Sequence, residues 1–298
     1  MSDLGLIIVS YNVSDLLGEC LRSVFASGGV TADVVVVDNA SEDGSAAMVK
    51  ERFPQATVIE SPCNGGYAYA NNLGLRRLQD LPGPPGYVLL LNPDTVLPAD
   101  GLRRMLDYME ARPNVGVAGP KLVLRDGSLD LACRRSFPSP SVSFCRMAGL
   151  SKLFPRSRVF GRYNLTYLHP DREAEVDSVV GAFMMVRWAA FQDAGLLDES
   201  FFLYGEDLDW AYRIKEHGWK VMYNPAVKVL HHKGESSRRN SQRATSEFYR
   251  AMLIFYRKHY ARDTFPLIGA AIVLGIHLRS ALARASSLLR PASIKGGG

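Results

Sequence analysis

Short apolar runs alternate with stretches in which apolar residues recur every three to four positions. The runs end abruptly in polar residues, as buried parallel strands do. Helical periodicity follows Ser14, which we expect to cap a helix, then Ser41, and then Tyr67. This alternation predicts right-handed βαβ units around a mostly parallel sheet. The four predicted strands are Leu6–Val9, Val34–Val37, Thr57–Ile59 and Tyr87–Leu91.

The pattern changes after Gly119. Asp126-Gly127 is a strong tight-turn signal, which predicts a hairpin with arms Lys121–Leu124 and Ser128–Cys133. We therefore expect one α/β domain with a nucleotide-binding half (1–120) and an acceptor-binding, catalytic half (121–240), followed by C-terminal helices (241–298). The other elements predicted beyond the hairpin are strands at Val176–Val186 and Val221–Val229 and helices at Glu206–Glu216 and Ser246–His259.

The net charge of +5 is unevenly distributed. From Arg257 onward there are seven basic residues and a single acid, Asp263, so the rest of the chain is close to neutral. A second basic stretch, Leu131–Pro170, contains no carboxylate. Two localised basic segments favour phosphate-bearing partners or an anionic membrane over nucleic acid. For any single residue, a solvated surface charge is an equally good explanation.

Cysteine spacing and the chain ends bear on location. The four cysteines include no C-x-x-C pair, which argues against a zinc site or a disulfide framework and favours a reducing cytoplasm. The first strand begins at Leu4, so we expect no signal peptide. The apolar stretch Phe265–Leu278 is closed by Arg279 and is shorter than the roughly 20 residues that span a bilayer. We therefore predict an interfacial helix, peripheral at the inner face of the plasma membrane.

Candidate chemistry lies at the ends of the predicted strands, where open α/β sheets bind ligands. Three strand ends carry polar residues: Ser10-Tyr11-Asn12, Asp38-Asn39 and Asn92-Pro93-Asp94. Any one of them is explained equally well as a cap or a turn. Three in one βαβαβ series indicate a site.

With these motifs, the sequence resembles the family 2 glycosyltransferases of GT-A fold, and within them the bacterial rhamnosyltransferase-like branch. The resemblance covers roughly Leu4 to Ser236. It rests on six motifs in the family's order: Ile8-Val9-Ser10-Tyr11-Asn12, Val37-Asp38-Asn39-Ala40-Ser41, Asn64-Gly65-Gly66-Tyr67-Ala68 with Asn71-Asn72, Leu91-Asn92-Pro93-Asp94, Gly205-Glu206-Asp207-Leu208-Asp209-Trp210, and His231 with Gly234 and Ser236.

The resemblance implies a set of nucleotide contacts. Asp38 would accept the imide N–H of uracil or thymine, while Ser10 and Tyr11 would line the base and ribose. The loop at Asn64, Gly65 and Gly66 leads into a helix N-terminus, which suits phosphate or ribose. Its plain alternative is an ordinary helix entry. The remaining nucleotide-site candidates are Asn12, Asn72 and Asn92.

It also implies a metal and a base. Asp94 and His231 are the candidate ligands of Mg²⁺ or Mn²⁺, and Asn92 stands where the family usually has the first Asp of Asp-x-Asp. Asp207 is the candidate general base, and Glu206 and Trp210 are the candidate acceptor contacts. One base and one metal-assisted leaving group predict single displacement with inversion. The carboxylates of this helix start are also explained by the helix dipole, and a single His is more often structural.

The predicted reaction is sugar transfer from a nucleotide diphosphate, most simply dTDP-L-rhamnose, to a saccharide or lipid-linked acceptor. A UDP-sugar donor is the second candidate. A nucleotidyltransferase would typically have a Gly- and Lys-rich loop after the first strand. The corresponding segment here, Ser10–Ser14, contains neither Gly nor Lys. A catalytically silent binding module stays open, although Asp94 and Asp207 argue against it.

Overall fold

A computed structural model of the protein describes residues 2–233 and 241–288. Within these residues nine strands form one sheet. The strands are β1 Leu4–Ser10, β2 Ala32–Asp38, β3 Thr57–Glu60, β4 Tyr87–Leu91, β5 Thr95–Val96, β6 Val115–Val123, β7 Ala174–Val176, β8 Phe183–Arg187 and β9 Lys220–His231. Their order is β3-β2-β1-β4-β8-β6-β9-β5, and β7 pairs with β9.

Ten α-helices cover the sheet in the same ranges, together with 3₁₀ turns at Leu131–Cys133 and Ala261–Asp263. The helices are α1 Ser14–Phe25, α2 Ser45–Arg52, α3 Tyr67–Gln79, α4 Gly101–Glu110, α5 Pro140–Met147, α6 Leu150–Leu153, α7 Trp188–Ala194, α8 Glu206–Glu216, α9 Ser241–His259 and α10 Pro266–Leu288.

The first half of the sheet has the predicted parallel arrangement. β1 pairs in parallel with β2 and with β4, and β2 pairs in parallel with β3. After β3 the chain returns to the other side of β1, so the strand order reverses between β1 and β4. Every residue of β1 and β4 is buried, which explains their unbroken apolar runs. This reversal point is where such sheets bind ligands.

The second half is mixed and continues the same sheet. β8 runs antiparallel to both β4 and β6, and β9 lies parallel to β6. β8 thus joins the strands of the first half to those of the second. The boundary expected near residue 120 falls inside β6.

Several element bounds differ from the sequence prediction. The Asp126-Gly127 turn is present, but its second arm gives way to the 3₁₀ turn at Leu131–Cys133 after a single bridge, Val123 to Leu129. Val176–Val186 divides into β7 and β8. Conversely, β9 continues past Pro225, because a register shift against β6 between Asn224 and Lys228 accommodates the proline in a bulge.

The starts of α1 and α2 also differ from the prediction. Ser14 is the first residue of α1 and caps nothing with its side chain. Its N–H instead donates to Asp43 at 2.9 Å, and the same carboxylate accepts from Ser45. Asp43 is therefore used in a loop-to-loop contact, and α2 begins only after the left-handed Gly44.

The C-terminal helices form a hairpin against the domain. α9 packs on α8 through an apolar cluster of Phe201, Leu208, Ala251 and Phe255. α10 is longer than predicted: Arg279 does not end it, and Pro266–Ser286 is long and apolar enough to cross a membrane, with a mean hydropathy of 1.6. The expectation that this segment is too short is therefore wrong.

One side of α10 is packed and the other is not. Ile276 and Ser280 are buried, and Arg279 donates a hydrogen bond to the carbonyl of Met147. The opposite side is an exposed leucine stripe, defined as Leu267, Leu274, Leu278 and Leu282, in which Leu267 is 74% exposed.

Candidate active site

The ends of β1 and β2 form one wall of the crevice. Parallel register sets Ser10 directly beside Asp38. Both side chains are buried, and neither Ser10 Oγ nor Asp38 Oδ1 has a hydrogen-bond partner in the described part of the chain. The other oxygen of Asp38 accepts from the Ser41 N–H at 3.0 Å. Such unpartnered buried polar atoms suit a ligand that supplies the missing donor and acceptor. Tyr11, next to Ser10, is 43% exposed, as stacking requires.

Asn12 connects this wall to the neighbouring loop. Its backbone is left-handed, with φ of 54°. The side-chain oxygen of Asn12 accepts from the Glu42 N–H at 2.8 Å, and the backbone N–H of Asn12 donates to Ser41 Oγ at 3.0 Å. These contacts hold the loops after β1 and β2 together. The described contacts of Asn12 are structural, and its predicted contact with nucleotide stays a prediction.

The loop at Asn64, Gly65 and Gly66 is anchored by Asn39, a residue that the sequence analysis gave no role. Asn39 donates to Asn64 Oδ1 at 3.0 Å and accepts from the Gly65 N–H at 3.2 Å. Gly66 has φ of 92°, and a Cβ there would lie 2.4 Å from the Phe202 carbonyl oxygen. Only glycine fits that position, so the loop before α3 has one defined shape.

Asn72 does not have a free side chain. It lies one turn into α3, where its amide donates to the Leu197 carbonyl and to Glu199, and its oxygen accepts from the Leu197 N–H. All three contacts tie α3 to the segment after α7. This departs from the expectation that Asn72 contacts the nucleotide.

The Asn92-Pro93-Asp94 turn and His231 meet because β5 pairs with the end of β9. Thr95 lies opposite His231, and the His232 N–H donates to the Asp94 carbonyl at 2.8 Å. His231 Nε2 then lies 3.3 Å from Asp94 Oδ1, an oxygen that is buried and has no hydrogen-bond partner in the described residues. Gly234 and Ser236 of the same motif lie outside those residues.

Asp130 fixes the other side of the His231 ring. Its Oδ2 lies 2.9 Å from His231 Nδ1, and its Oδ1 accepts from Lys233. Burial alone would lower the pKa of His231, but the hydrogen bond with Asp130 and the nearby negative charge of Asp94 outweigh it and raise that pKa to about 9. Burial opposes ionisation of Asp130 too, yet His231 and Lys233 hold its pKa far below the ordinary value.

These residues fit a divalent cation held jointly with a ligand. No cluster of three or more His, Cys, Asp or Glu side chains able to enclose a metal occurs within residues 2–233 and 241–288. A carboxylate oxygen and an imidazole nitrogen do converge, and both are buried. Such a pair matches a cation that takes its remaining ligands from phosphate oxygens and water.

The candidate base, Asp207, is buried at the start of α8 and fully engaged. Its Oδ2 accepts from Arg135 at 2.7 Å and from the Gly181 N–H at 3.0 Å. Arg135 is buried as well, so this is an interior ion pair, and Arg135 also donates to the Val179 carbonyl. The sequence analysis placed Arg135 only within a basic stretch.

Glu206 differs from its neighbour. It is equally buried, but its Oε2 has no hydrogen-bond partner among the described residues. Burial raises the pKa of Glu206, and the adjacent charge of Asp207 raises it further. Burial, together with the negative charges of Glu206, Asp207 and Asp94, likewise raises the pKa of Tyr67.

Trp210 is in the core. It is 0% exposed, its indole N–H donates to the Gly195 carbonyl at 2.8 Å, and its ring packs edge-on against Phe191. This burial contradicts the expectation that Trp210 contacts the acceptor.

Comparisons with known proteins identify the family of this chain. A family model described as glycosyl transferase family group 2 matches residues 87–282, and one described as glycosyl transferase family 2 matches residues 6–137. The chain is 29% identical to an N-acetylglucosaminyl-diphospho-decaprenol L-rhamnosyltransferase from Mycobacterium tuberculosis, over 85% of this chain and 83% of that one. It is 25% identical to the Escherichia coli rhamnosyltransferase WbbL, over 78% and 84%.

The fold is also found in a solved structure. The mannosyltransferase PcManGT from Pyrobaculum calidifontis, in complex with GDP-Man and Mn²⁺, superposes with a TM-score of 0.58 at 19% identity. The match covers all of this chain and 76% of that one. This likeness confirms the predicted GT-A type of α/β fold.

Proposed function

This chain belongs to glycosyl transferase family 2, and from that premise we propose that it is an inverting, metal-dependent enzyme that transfers L-rhamnose from dTDP-L-rhamnose to a polyprenyl-diphosphate-linked saccharide. The observation that carries the proposal is the register of β5 on β9, which brings Asp94 and His231 together at the crevice. The names of the relatives from M. tuberculosis and E. coli support rhamnose as the sugar.

The donor's base and ribose are assigned to the β1–β2 wall. Asp38 Oδ1 accepts the imide N–H of thymine, Ser10 Oγ contacts the base or ribose, and Tyr11 stacks. The unpartnered state of the first two atoms supports this assignment. Uracil has the same imide edge, so a UDP-sugar remains the second candidate.

Asp94 and His231 would hold Mg²⁺ or Mn²⁺. The bound cation would neutralise the charge that develops on the leaving diphosphate. The Mn²⁺ in the PcManGT complex supports a divalent cation in a protein of this fold. Asn92 contributes its backbone to this site: its N–H donates to the Ala182 carbonyl at 3.0 Å, which connects the turn to the segment that holds Asp207.

Asp207 is proposed to take the proton of the acceptor hydroxyl as that oxygen attacks the anomeric carbon. Arg135 and the Gly181 N–H occupy both lone pairs of its Oδ2 and hold it in place. The proton would therefore go to Oδ1, which accepts one bond, from the Leu208 N–H, and keeps a second lone pair. Glu206, with an unpartnered oxygen and a raised pKa, is the competing carboxylate, proposed here as an acceptor contact. A single base and no covalent intermediate give inversion.

Donor choice is tested by turnover. We expect dTDP-L-rhamnose with Mn²⁺ to give dTDP and a rhamnosylated lipid-linked saccharide whose anomeric configuration is opposite to that of the donor. A donor at 100 times its Kd should also stabilise the protein by about 2.7 kcal/mol, which thermal shift detects. UDP-sugars and GDP-mannose serve as matched donors. Turnover with a UDP-sugar alone would contradict the choice of dTDP-rhamnose, and binding without nucleotide diphosphate release would indicate a silent module.

We place the protein at the cytoplasmic face of the plasma membrane, with the leucine stripe of α10 against anionic lipid. The stripe follows Arg257 and Arg262 in sequence, and α10 itself contains Arg279 and Arg284. An apolar face flanked by cations is typical of interfacial helices. A membrane-embedded acceptor would then be presented near α8, since α9 packs directly on it.

The stripe gives a direct prediction. Replacing Leu274, Leu278 and Leu282 by Glu should reduce sedimentation with phosphatidylglycerol vesicles by at least about tenfold, because each change removes apolar burial and adds a repelled charge. The matched control replaces the same three by Met, which keeps the apolar surface. High salt should release the wild type only in part. Equal sedimentation of the Glu and Met variants would mean that α10 does not contact the membrane.

A further inference from the structure

Asp130 has a buried carboxylate to which the proposed reaction gives no role. It is 1% exposed and lies after the Asp126-Gly127 turn, where its N–H donates to the Leu122 carbonyl. Both carboxylate oxygens of Asp130 make hydrogen bonds. Oδ2 bonds His231 Nδ1, and Oδ1 accepts from the Ala132 N–H and from Lys233. The Ala132 N–H and Lys233 therefore fix the orientation of the carboxylate independently of His231.

The two nitrogens of His231 face different carboxylates. Nδ1 is 2.9 Å from Asp130, and Nε2 is 3.3 Å from Asp94 Oδ1. The contact with Asp130 is a hydrogen bond, whereas Asp94 Oδ1 has no hydrogen-bond partner in the described residues. When a histidine binds a metal through one nitrogen, the other nitrogen donates its N–H to a carboxylate or carbonyl, which sets the tautomer and the ring orientation.

We propose that Asp130 is a positioning residue for the metal site: it holds His231 as the Nδ1–H tautomer and directs the Nε2 lone pair at a divalent cation shared with Asp94. Lys233 holds Asp130 in this orientation. The inference rests on the metal use proposed above. It assigns to the turn after β6 a part in binding the cation, although no atom of that turn touches the cation itself.

The first test is metal affinity with dTDP present, measured by Mn²⁺ electron paramagnetic resonance. Asp130→Ala should weaken Mn²⁺ binding by about 10- to 100-fold, and Asp130→Asn, which retains an acceptor oxygen, by less. Affinity for dTDP in EDTA should stay within about twofold of wild type, because the β1–β2 wall is unchanged. Asp126→Asn is the matched control, because Asp126 is an exposed carboxylate of the same turn whose side-chain hydrogen bonds in the described part of the chain all come from Ser128. Wild-type Mn²⁺ affinity in both Asp130 variants would overturn the inference.

The second test needs no variant of Asp130 and so does not depend on its folding. In ¹⁵N spectra of the wild type saturated with Mg²⁺ and dTDP, His231 should be protonated at Nδ1 and unprotonated at Nε2. Its signals are assigned by their loss in His231→Gln. An Nε2–H tautomer, or a doubly protonated ring with Mg²⁺ bound, would overturn the inference. If the wild type bound no divalent cation at all, the metal part of the proposed function would fail instead.

Discussion

Asp207→Asn should transfer sugar on the order of 10²–10⁴-fold more slowly than the wild type while binding dTDP with nearly unchanged affinity. The amide cannot take the proton of the acceptor hydroxyl, and Asp207 lies on α8, away from the β1–β2 wall that holds the nucleotide. Calorimetry with dTDP beside product formation measures both quantities on the same preparation.

The ion pair with Arg135 adds a cost to this variant. Removing the charge of Asp207 leaves the buried Arg135 guanidinium without its counter-ion, so a lower melting temperature is also expected. Glu206→Gln is the matched comparison, since it replaces an equally buried neighbouring carboxyl group and leaves that ion pair intact. Near-wild-type transfer by Asp207→Asn together with an inactive Glu206→Gln would show that Glu206 is the base.

Asp94→Ala should lose metal-supported transfer by at least about a hundredfold, because several kcal/mol of charge stabilisation on the leaving diphosphate depend on the cation. Affinity for dTDP should fall when Mn²⁺ is present and should not change in EDTA. Product formation over a Mn²⁺ titration and calorimetry in both conditions measure these effects.

Asp100→Ala is the control for this change. Asp100 is an exposed acid in the segment between β4 and α4, and within the described residues its side chain forms an ion pair with Arg104 at the surface. It should behave as the wild type does. Full activity of Asp94→Ala, or of the wild type in excess EDTA, would rule out the proposed metal site.

Local sequence patterns predicted the strands of the first half of the sheet and helix α8. β1, β4 and most of β2 are buried, so their apolar runs were unambiguous, and the bounds of α8 were predicted to the residue. The hairpin after Lys121 was predicted only in part, because one bridge and a 3₁₀ turn have the same turn signal as a long hairpin. The strand predicted at Val221–Val229 is longer in the structure, Lys220–His231, and a bulge in β9 accommodates Pro225 without ending the strand.

The site shows the same limit at longer range. Sequence motifs located Ser10, Asp38, Asp94 and His231, which the sheet does bring to one edge. They did not locate Asp130 or Arg135, whose partners lie far along the chain and are chosen by packing. Trp210 is fully buried against Phe191 and bonds the Gly195 carbonyl, so its closeness in sequence to the carboxylates of α8 did not indicate what it contacts.

The late position of β9 in the chain has a consequence for biosynthesis. β9 pairs with β5, β6 and β7, all of which precede it, and it supplies His231 at its last residue. Until β9 has emerged from the ribosome, β5 has no neighbour and one edge of β6 is open to unwanted pairing. The contacts that β9 makes are also long-range, and such pairings form slowly. The nascent chain can therefore complete the β1–β2 wall early, but Asp94 gains His231, its partner in the proposed metal site, only when β9 has paired with β5.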